Sequence, residues 1–143
     1  MDKSSNILLN EFIAEHKLTQ AKEFDHMLVG LDKQQIVFMR YKTGAQMDLS
    51  CAQKVVDYTA ELGNKKPLVN IIELAPGCGI KKEASVFSKS EEANLYTLAD
   101  AIIVKNNVQR ILGNVYMNFG NTTRPTKLFT STPEAKNWLQ QFQ

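Results

Sequence analysis

A nearly continuous apolar run towards the C-terminus constrains the fold most. Residues 98–104 read LADAIIV, in which Asp100 is the sole interruption and β-branched residues are concentrated at the end. This pattern is typical of a strand that is buried on both faces, as in the centre of a parallel sheet with helices above and below it. The run therefore predicts an α/β fold rather than an all-helical or an all-β one.

The residues after this strand predict a helix. Lys105 and the pair Asn106–Asn107 end the strand, and an Asn at this position can cap the helix by accepting a backbone N–H. Gly113 would weaken a helix interior, so we expect the backbone to approach a neighbouring element closely there. The pair Gly120–Asn121 predicts the helix end. One apolar stripe at helical spacing is expected to face the sheet, and it comprises Val108, Ile111, Leu112, Val115 and Phe119.

A short strand and a closing helix complete the C-terminal part. The strand is predicted over Thr126–Thr130. Ser131 followed by Glu134 is a capping-box pattern, and Thr132 followed by Pro133 is the competing helix start. The expected apolar stripe of this helix comprises Ala135, Trp138, Leu139 and Phe142.

The N-terminal part predicts a β-hairpin and then alternating helices and strands. Two apolar runs around a turn form the hairpin, and Asp48 and Gly63 bound the next helix. With right-handed crossovers this order gives a mixed, mostly parallel sheet with helices packed on it. The predicted elements are a helix over 7–17, strands over 27–31 and 36–41, a helix over 48–62, a strand over 68–74 and a helix over 82–95.

Two C-terminal segments carry a resemblance to a known family. AIIVKNNVQRILGNVYMNF and RPTKLFTSTPEAKNWL resemble the C-terminal half of small uncharacterised bacterial proteins with the STAS fold (SpoIIAA-like), which is the fold of anti-sigma-factor antagonists and is related to Sec14-type lipid-binding folds. The most specific pieces are Gly113–Asn114 and residues 125–130, PTKLFT, followed by Ala135 and Trp138. The likeness extends back to about residue 24. It implies a STAS-like fold without a settled activity.

The same resemblance bears on two polar positions. Anti-sigma-factor antagonists carry an Asp-Ser pair whose serine is phosphorylated, whereas the matching region here reads GIKKEAS and offers Ser85 as the nearest hydroxyl. A phospho-switch of that kind is therefore not expected. The family usually has an aspartate where Asn70 stands. The favoured interpretation of Asn70 is a hydrogen-bonded polar group at a turn or strand end, and the alternative is a functional role.

Composition limits the remaining classes of protein. A chain of 143 residues with a net charge of +2 fits a single domain over 1–143, with residues 1–22 as an N-terminal extension. The charge is too small for a typical nucleic-acid binder, and no apolar stretch is long enough to span a membrane. The first residues lack the core of a signal peptide, and the two cysteines are compatible with a reducing cytosol, so a cytoplasmic location is expected.

Metal and nucleophile patterns are weak. His16, His26, Cys51 and Cys78 are scattered without ligand spacing, so no metal site and no cofactor are predicted. His16 is expected on a solvated surface and His26 at a strand edge. Cys78 lies between two glycines before a helix, but no histidine is near it in sequence, so an incidental loop cysteine is favoured over a nucleophile. No enzymatic activity is predicted.

The loop before the 82–95 helix is the best candidate for anion binding. Glycines and lysines at a helix N-terminus favour anions, although the pattern is neither of the common phosphate-binding motifs. The alternative is a plain connection between a strand and a helix. Since parallel strands share one carboxyl edge, we predict an anion- or partner-binding rim there, which comprises Gly77, Gly79, Lys81, Lys82, Lys105, Asn106, Asn107, Ser131 and Thr132.

Two functional hypotheses follow. The first is a non-enzymatic STAS-like regulatory module that acts through contacts with an unknown protein partner and forms a homodimer. The alternative is a protein that binds a small anionic ligand, a lipid or a nucleotide at the strand carboxyl edge. An exposed apolar patch would favour the first hypothesis, and a concave pocket the second.

Overall fold

A computed structural model describes residues 3–118 and 124–143 of the chain. Within these ranges no helix combines the length and the apolarity needed to cross a membrane. The helices are α1 (Lys3–His16), α2 (Leu49–Leu62), α3 (Lys82–Ser88), α4 (Glu91–Asn94), α5 (Asn107–Asn118) and α6 (Thr132–Leu139), which continues into a 3-10 turn (Gln140–Phe142). The strands are β1 (Gln20–Glu23), β2 (Met27–Leu31), β3 (Ile36–Tyr41), β4 (Gln46–Met47), β5 (Leu68–Glu73), β6 (Gly79–Ile80), β7 (Thr97–Ile103) and β8 (Thr126–Phe129).

Six strands form one mixed sheet in the order β1-β2-β3-β5-β7-β8, and β4 pairs separately with β6. The β1–β2 and β2–β3 pairs are antiparallel, and the three remaining pairs of the large sheet are parallel. This arrangement confirms the predicted α/β class, the early hairpin and the mostly parallel sheet. The carboxyl ends of β3, β5, β7 and β8 consequently lie at the same edge.

The sheet has an apolar core on each face because its central strands carry apolar side chains in both directions. On one face α2 covers β2 and β3, and this cluster includes Met27, Val29, Met39, Val55 and Leu62. On the other face α1 and α6 cover β3, β5 and β7, and this cluster includes Phe12, Phe38, Ile71, Ala101 and Leu139.

Part of the segment predicted as an N-terminal extension, residues 1–22, packs on the sheet. Phe12 of α1 is fully buried, and β1, which the pattern did not predict, pairs with β2. The first strand of the sheet is therefore β1, at residues 20–23, and the hairpin is its second and third strand.

Several predicted helix boundaries are confirmed, and one helix is divided. Asp48 accepts the backbone N–H of Cys51 and caps α2. Ser131, rather than the competing Thr132, caps α6, since its Oγ accepts the N–H of Glu134. The single helix predicted over 82–95 is two helices, because Ser90 caps a new helix by accepting the N–H of Ala93.

The predicted orientation of α5 is wrong for most of its apolar stripe. Val108, Ile111 and Val115 are 76%, 64% and 55% exposed and face away from the sheet, whereas Leu112 is half-buried and lines the inward side. The inward side of α5 instead carries the buried Gln109 and Gly113. Phe119 and the predicted helix end at 120–121 lie outside the described residues. The close approach predicted at Gly113 is confirmed, because a Cβ there would lie 2.9 Å from Leu128 Cδ2.

Candidate functional site: a lined cavity on one face of the sheet

A cavity of about 110 Å³ lies between the sheet and the helices of the α2 face. Side chains from β3, β5 and β7 form its floor, and side chains from α2, α4 and α5 form its walls. Its size approaches that of engineered apolar cavities that bind benzene, about 150 Å³. The apolar lining includes Met27, Met39, Met47, Val55, Ile72 and Ile102.

Polar side chains of the two central strands meet on the cavity floor. Asn70 of β5 and Asp100 of β7 are register partners in the parallel sheet, so their side chains lie next to each other on one face. Asn70 Nδ2 donates to Asp100 Oδ1 at 2.9 Å and to Thr97 Oγ1 at 3.3 Å. The floor therefore contains a hydrogen-bonded polar group within otherwise apolar surroundings.

A buried ion pair adjoins this group. Arg124 Nε donates to Asp100 Oδ2 at 2.7 Å, and Arg124 Nη1 donates to Asn94 Oδ1 at 2.6 Å. Burial by itself would lower the pKa of Arg124, but the Asp100 carboxylate raises it above its usual value. The guanidinium is therefore held in its charged form against Asp100, whose exposure is 1%.

One buried oxygen of this polar group is left without a partner. Asn70 is 3% exposed, and its Oδ1 accepts no hydrogen bond from any group in the described parts of the chain. An unsatisfied buried acceptor costs about 1–3 kcal/mol relative to a hydrogen-bonded one. This atom therefore requires an explanation, such as a missing donor.

Contacts between α3 and α5 close another part of the cavity wall. Ser88 Oγ and Tyr116 OH lie 2.9 Å apart, and both residues line the cavity. Lys89, at the end of α3, donates through Nζ to the carbonyl oxygen of Tyr116 and lies over its ring. Burial lowers the pKa of Lys89 and raises the pKa of Tyr116. These contacts hold α5 against α3 through polar rather than apolar groups.

A second cluster of charged groups lies on the opposite face, where the end of α1 meets β3 and β5. His16 Nε2 lies 2.9 Å from Glu73 Oε1, and the His16 ring stacks on Phe38 with ring centres 4.1 Å apart. The prediction that His16 lies on a solvated surface is therefore wrong, since its side chain is 7% exposed. Phe38 and the buried carboxylate of Glu73 provide the apolar and polar contacts that draw the imidazole inward.

Arg40 occupies the centre of this second cluster. The possible ligand atoms of Glu15, His16 and Glu73 lie within 4.8 Å of one another, which is a spacing that could hold a metal ion. However, Arg40 Nη2 lies 2.6 Å from Glu15, 3.0 Å from Glu73 and 3.3 Å from His16. A metal ion would have to displace this guanidinium. The hydrogen bonds and ion pairs of Arg40 are therefore better suited to holding α1 against the sheet.

The predicted rim residues lie at the carboxyl edge of the sheet, because three helices begin there, at Lys82, Asn107 and Thr132. Some of their polar groups already serve as caps. Asn106 Oδ1 accepts the N–H of Gln109 at 2.9 Å, and Gln109 Oε1 accepts the N–H of Lys105. The lysines Lys81, Lys82 and Lys105 and the residues Gly77, Asn106 and Asn107 are exposed, whereas Gly79, Ser131 and Thr132 are half-buried. Anion binding at this rim stays a prediction.

The two cysteines lack the surroundings of a nucleophile. Cys78 lines the cavity and is 8% exposed, and burial raises the pKa of its thiol. Cys51 lies in the first turn of α2, and burial also raises the pKa of its thiol. Both shifts disfavour the reactive thiolate.

Two polar residues within apolar strands indicate the cavity floor in the sequence. Asn70 and Asp100 each interrupt an apolar strand, and neighbouring parallel strands can bring such interruptions together. The favoured interpretation of Asn70 as a hydrogen-bonded polar group is correct, but its position is the middle of β5 rather than a turn or strand end. Arg124 could not be identified in the same way, because it interrupts no apolar strand and lies just before the short edge strand β8.

Comparisons with known proteins support the fold and the family. No curated protein matches the chain. A solved structure with a SpoIIAA-like fold, that of an uncharacterised protein from the DUF3478 family of Shewanella loihica PV-4, superposes with a TM-score of 0.59. Its sequence identity is 14%, and the match covers 84% of this chain and 98% of that one. At this identity the likeness establishes the SpoIIAA-like fold alone. A family model for a domain of unknown function (DUF7793) matches residues 30–143, which is most of the chain, and the protein therefore belongs to that family.

Proposed function

We propose that this protein binds a small, mostly apolar molecule in the cavity between the sheet and α2, α4 and α5. The observation that carries the proposal is the cavity itself, whose lining is mostly apolar. An empty cavity of this volume would destabilise the fold by about 2.5 kcal/mol, at roughly 24 cal/mol per Å³. Occupation by a ligand would recover much of that free energy.

The proposed role is binding rather than catalysis. The charged groups at the cavity, Asp100 and Arg124, are hydrogen-bonded to each other, and the thiol of Cys78 is held in its neutral form. Such groups can orient a ligand but are poorly placed to accept or deliver a proton or an electron pair. The site shares Gly79 with the predicted rim, but most of its lining lies on one face of the sheet beneath the helices.

Titration of the isotope-labelled protein with toluene and phenol, followed by NMR, tests this function. We expect shifts at the amides of cavity-lining residues. Ala52 of α2 lines the cavity, so Ala52→Leu should fill it and abolish the shifts. Ala60→Leu is the matched control, since it makes the same change on the same helix at a half-buried position away from the lining. Absence of binding by both probes at millimolar concentration would overturn the proposal.

A second candidate function is contact with another copy of this chain through α5. The exposed side chains of Val108, Ile111 and Val115 form one apolar surface, which we call the α5 stripe. Helix α5 contacts β8, which is the last strand of the large sheet within the described residues, and an edge strand offers backbone groups for pairing. Both features favour a symmetric contact between two copies, in which stripe and edge would be buried together.

A further inference from the structure

We infer that the ligand of this cavity is an uncharged molecule with an acceptor oxygen, such as a ketone or an alcohol, which receives a hydrogen bond from the Tyr41 hydroxyl. This inference rests on the proposed function and adds the chemical class of the ligand. Its basis is a mostly apolar cavity whose lining includes a tyrosine hydroxyl without a partner among the described residues. An apolar ligand that excludes water would leave this hydroxyl unpaired, whereas an oxygen on the ligand would satisfy it.

The position of Tyr41 places its hydroxyl towards the cavity. Tyr41 ends β3 and packs against the apolar cluster that α2 covers. Met39 shares this face because side chains alternate along a strand, and both residues line the cavity. Burial is the main cause that raises the pKa of Tyr41, and Tyr116, Cys78 and Cys51 raise it further. The hydroxyl therefore lies away from bulk water near other residues of the lining, and it keeps its proton at neutral pH.

The oxygen of Tyr41 is not fully enclosed by protein atoms. Among the described residues, Asn70 Oδ1 is the one unpaired side-chain oxygen that has almost no accessible surface. The Tyr41 hydroxyl is also unpaired but is not enclosed in this way, so its oxygen retains accessible surface. A ligand in the cavity can therefore contact the Tyr41 oxygen, whereas the proposal requires no contact with Asn70 Oδ1.

Tyr96 is the other tyrosine of the lining whose hydroxyl has no partner among the described residues. It directly precedes β7, whereas Tyr41 ends β3, and both strands run parallel to β5. The two tyrosines therefore approach the cavity from opposite edges of the sheet. A ligand limited by the volume of about 110 Å³ to roughly one ring or a short chain would meet one hydroxyl rather than both.

Charge on the ligand is disfavoured because the charged groups of the lining already neutralise each other. Within the described lining these groups are Asp100 and Arg124, and Arg124 Nε lies 2.7 Å from Asp100 Oδ2. A ligand carboxylate would have to compete with Asp100 for Arg124, and a ligand ammonium group would have to compete with Arg124 for Asp100. Burying an unpaired charge costs far more than one hydrogen bond supplies.

Two probes of the same shape test the inference on the full chain. Cyclopentanone has a carbonyl oxygen, and methylenecyclopentane has a CH₂ group in its place. Tyr41→Phe removes the hydroxyl and keeps the ring, so it should raise the dissociation constant of cyclopentanone at least about fivefold and that of methylenecyclopentane by less than about twofold, as measured by calorimetry or NMR titration. Comparing each probe between the two proteins cancels the hydration of the probe itself. An equal effect on both probes would overturn the inference.

Tyr96→Phe is the matched control, because it makes the same change at the other unpaired hydroxyl of the lining. It should change both dissociation constants by less than about twofold. Loss of cyclopentanone affinity in Tyr96→Phe but not in Tyr41→Phe would contradict the assignment to Tyr41.

A charged probe and the wild-type protein separate the remaining outcomes. Cyclopentanecarboxylate should bind more weakly than cyclopentanone, and equally tight binding would show that the inference is wrong about charge. If methylenecyclopentane or toluene binds but cyclopentanone does not, the inference is wrong although the cavity still binds ligands. If no probe binds, the proposed function itself fails.

The carbonyl stretching band of bound cyclopentanone gives a readout that does not depend on whether Tyr41→Phe folds. A hydrogen bond from Tyr41 should lower the frequency of this band in the wild type relative to cyclopentanone dissolved in an alkane. A band at the alkane position would overturn the inference.

Discussion

At the scale of single residues, the pair of Asp100 and Arg124 determines whether the cavity wall is stable. The side chains are 1% and 8% exposed, and they join β7 to the residues just before β8. A buried ion pair of this kind contributes little net stability relative to apolar replacements, but loss of one member leaves an uncompensated charge. The structural importance of the pair is therefore best measured by removing its members singly and together.

We predict that Asp100→Leu lowers the free energy of unfolding by about 3–5 kcal/mol, because it leaves the Arg124 guanidinium buried without its carboxylate. The double variant Asp100→Leu/Arg124→Met should lose clearly less than the sum of the two single variants. Urea denaturation of the four proteins gives the coupling free energy. Additive losses would contradict the assignment of Asp100 as the main partner of Arg124.

Glu73 gives a prediction about pH. Burial alone would raise the pKa of Glu73, but hydrogen bonds from His16 and Arg40 lower it below its usual value. The unfolded chain has the ordinary carboxyl pKa, about 4.3, so below about pH 5 it binds more protons than the folded chain. The stability that Glu73 contributes is therefore present at neutral pH and is lost as the pH falls through its folded-state pKa.

The variant Glu73→Gln isolates this contribution. The difference in unfolding free energy between the wild type and Glu73→Gln should shrink as the pH is lowered from about 7 to about 3, as measured by urea denaturation. Lys33→Gln is a suitable control, because Lys33 is exposed in the turn between β2 and β3, away from this cluster. A difference that stays constant over this range would contradict the lowered pKa of Glu73 in the folded protein.

At the scale of elements, α5 shows what apolar periodicity can and cannot predict. The pattern correctly predicts a helix from Asn107, but it does not determine which side faces the sheet. The inward side carries Gly113, which allows close contact with Leu128, and Gln109, which hydrogen-bonds the end of β7. Leu112 also lies on this side, so the apolar pattern fails for the three exposed residues of the stripe, and the small and capping residues beside Leu112 carry no weight in such a pattern.

Two glycines give a comparison of close contacts. A Cβ at Gly30 of β2 would lie 2.5 Å from Leu18 Cδ1 and 2.8 Å from the backbone oxygen of Gln20, so β1 would have to move. Gly30→Ala should therefore destabilise the protein by about 1–3 kcal/mol. At Gly113 only the tip of Leu128 must shift, and alanine favours the helix by about 0.8–1 kcal/mol. Thermal or urea unfolding should show that Gly113→Ala lowers the free energy of unfolding clearly less than Gly30→Ala does. The opposite order would contradict the described packing of β1 or α5.

At the scale of the whole molecule, the order of the central elements could be predicted because each carries its own local signal. The hairpin, α2, β5, β7 and α6 each combine an apolar pattern with a cap or a turn residue. The strand β1 could not be predicted in this way, since its residues QAKE lack apolar alternation and pair with β2 because of tertiary packing. The cavity likewise depends on how several elements pack together, so no single segment indicates it.

Self-association is a prediction at this scale. If two copies meet through the α5 stripe, light scattering should give twice the mass of the 16.1 kDa chain at high concentration. Ile111→Lys places a charge on the stripe and should shift the equilibrium to the monomer, whereas Lys54→Ile, on the exposed side of α2, should not. A mass near 16 kDa at all concentrations would contradict the homodimer and leave the stripe without this role.

The cavity is proposed to bind a small, mostly apolar molecule. A crystal structure of the protein soaked with phenol tests it most directly. We expect the phenol ring between Ile72, Ile102 and Met39. An empty cavity in a crystal that contains phenol at saturating concentration, or phenol bound only on the surface, would contradict it.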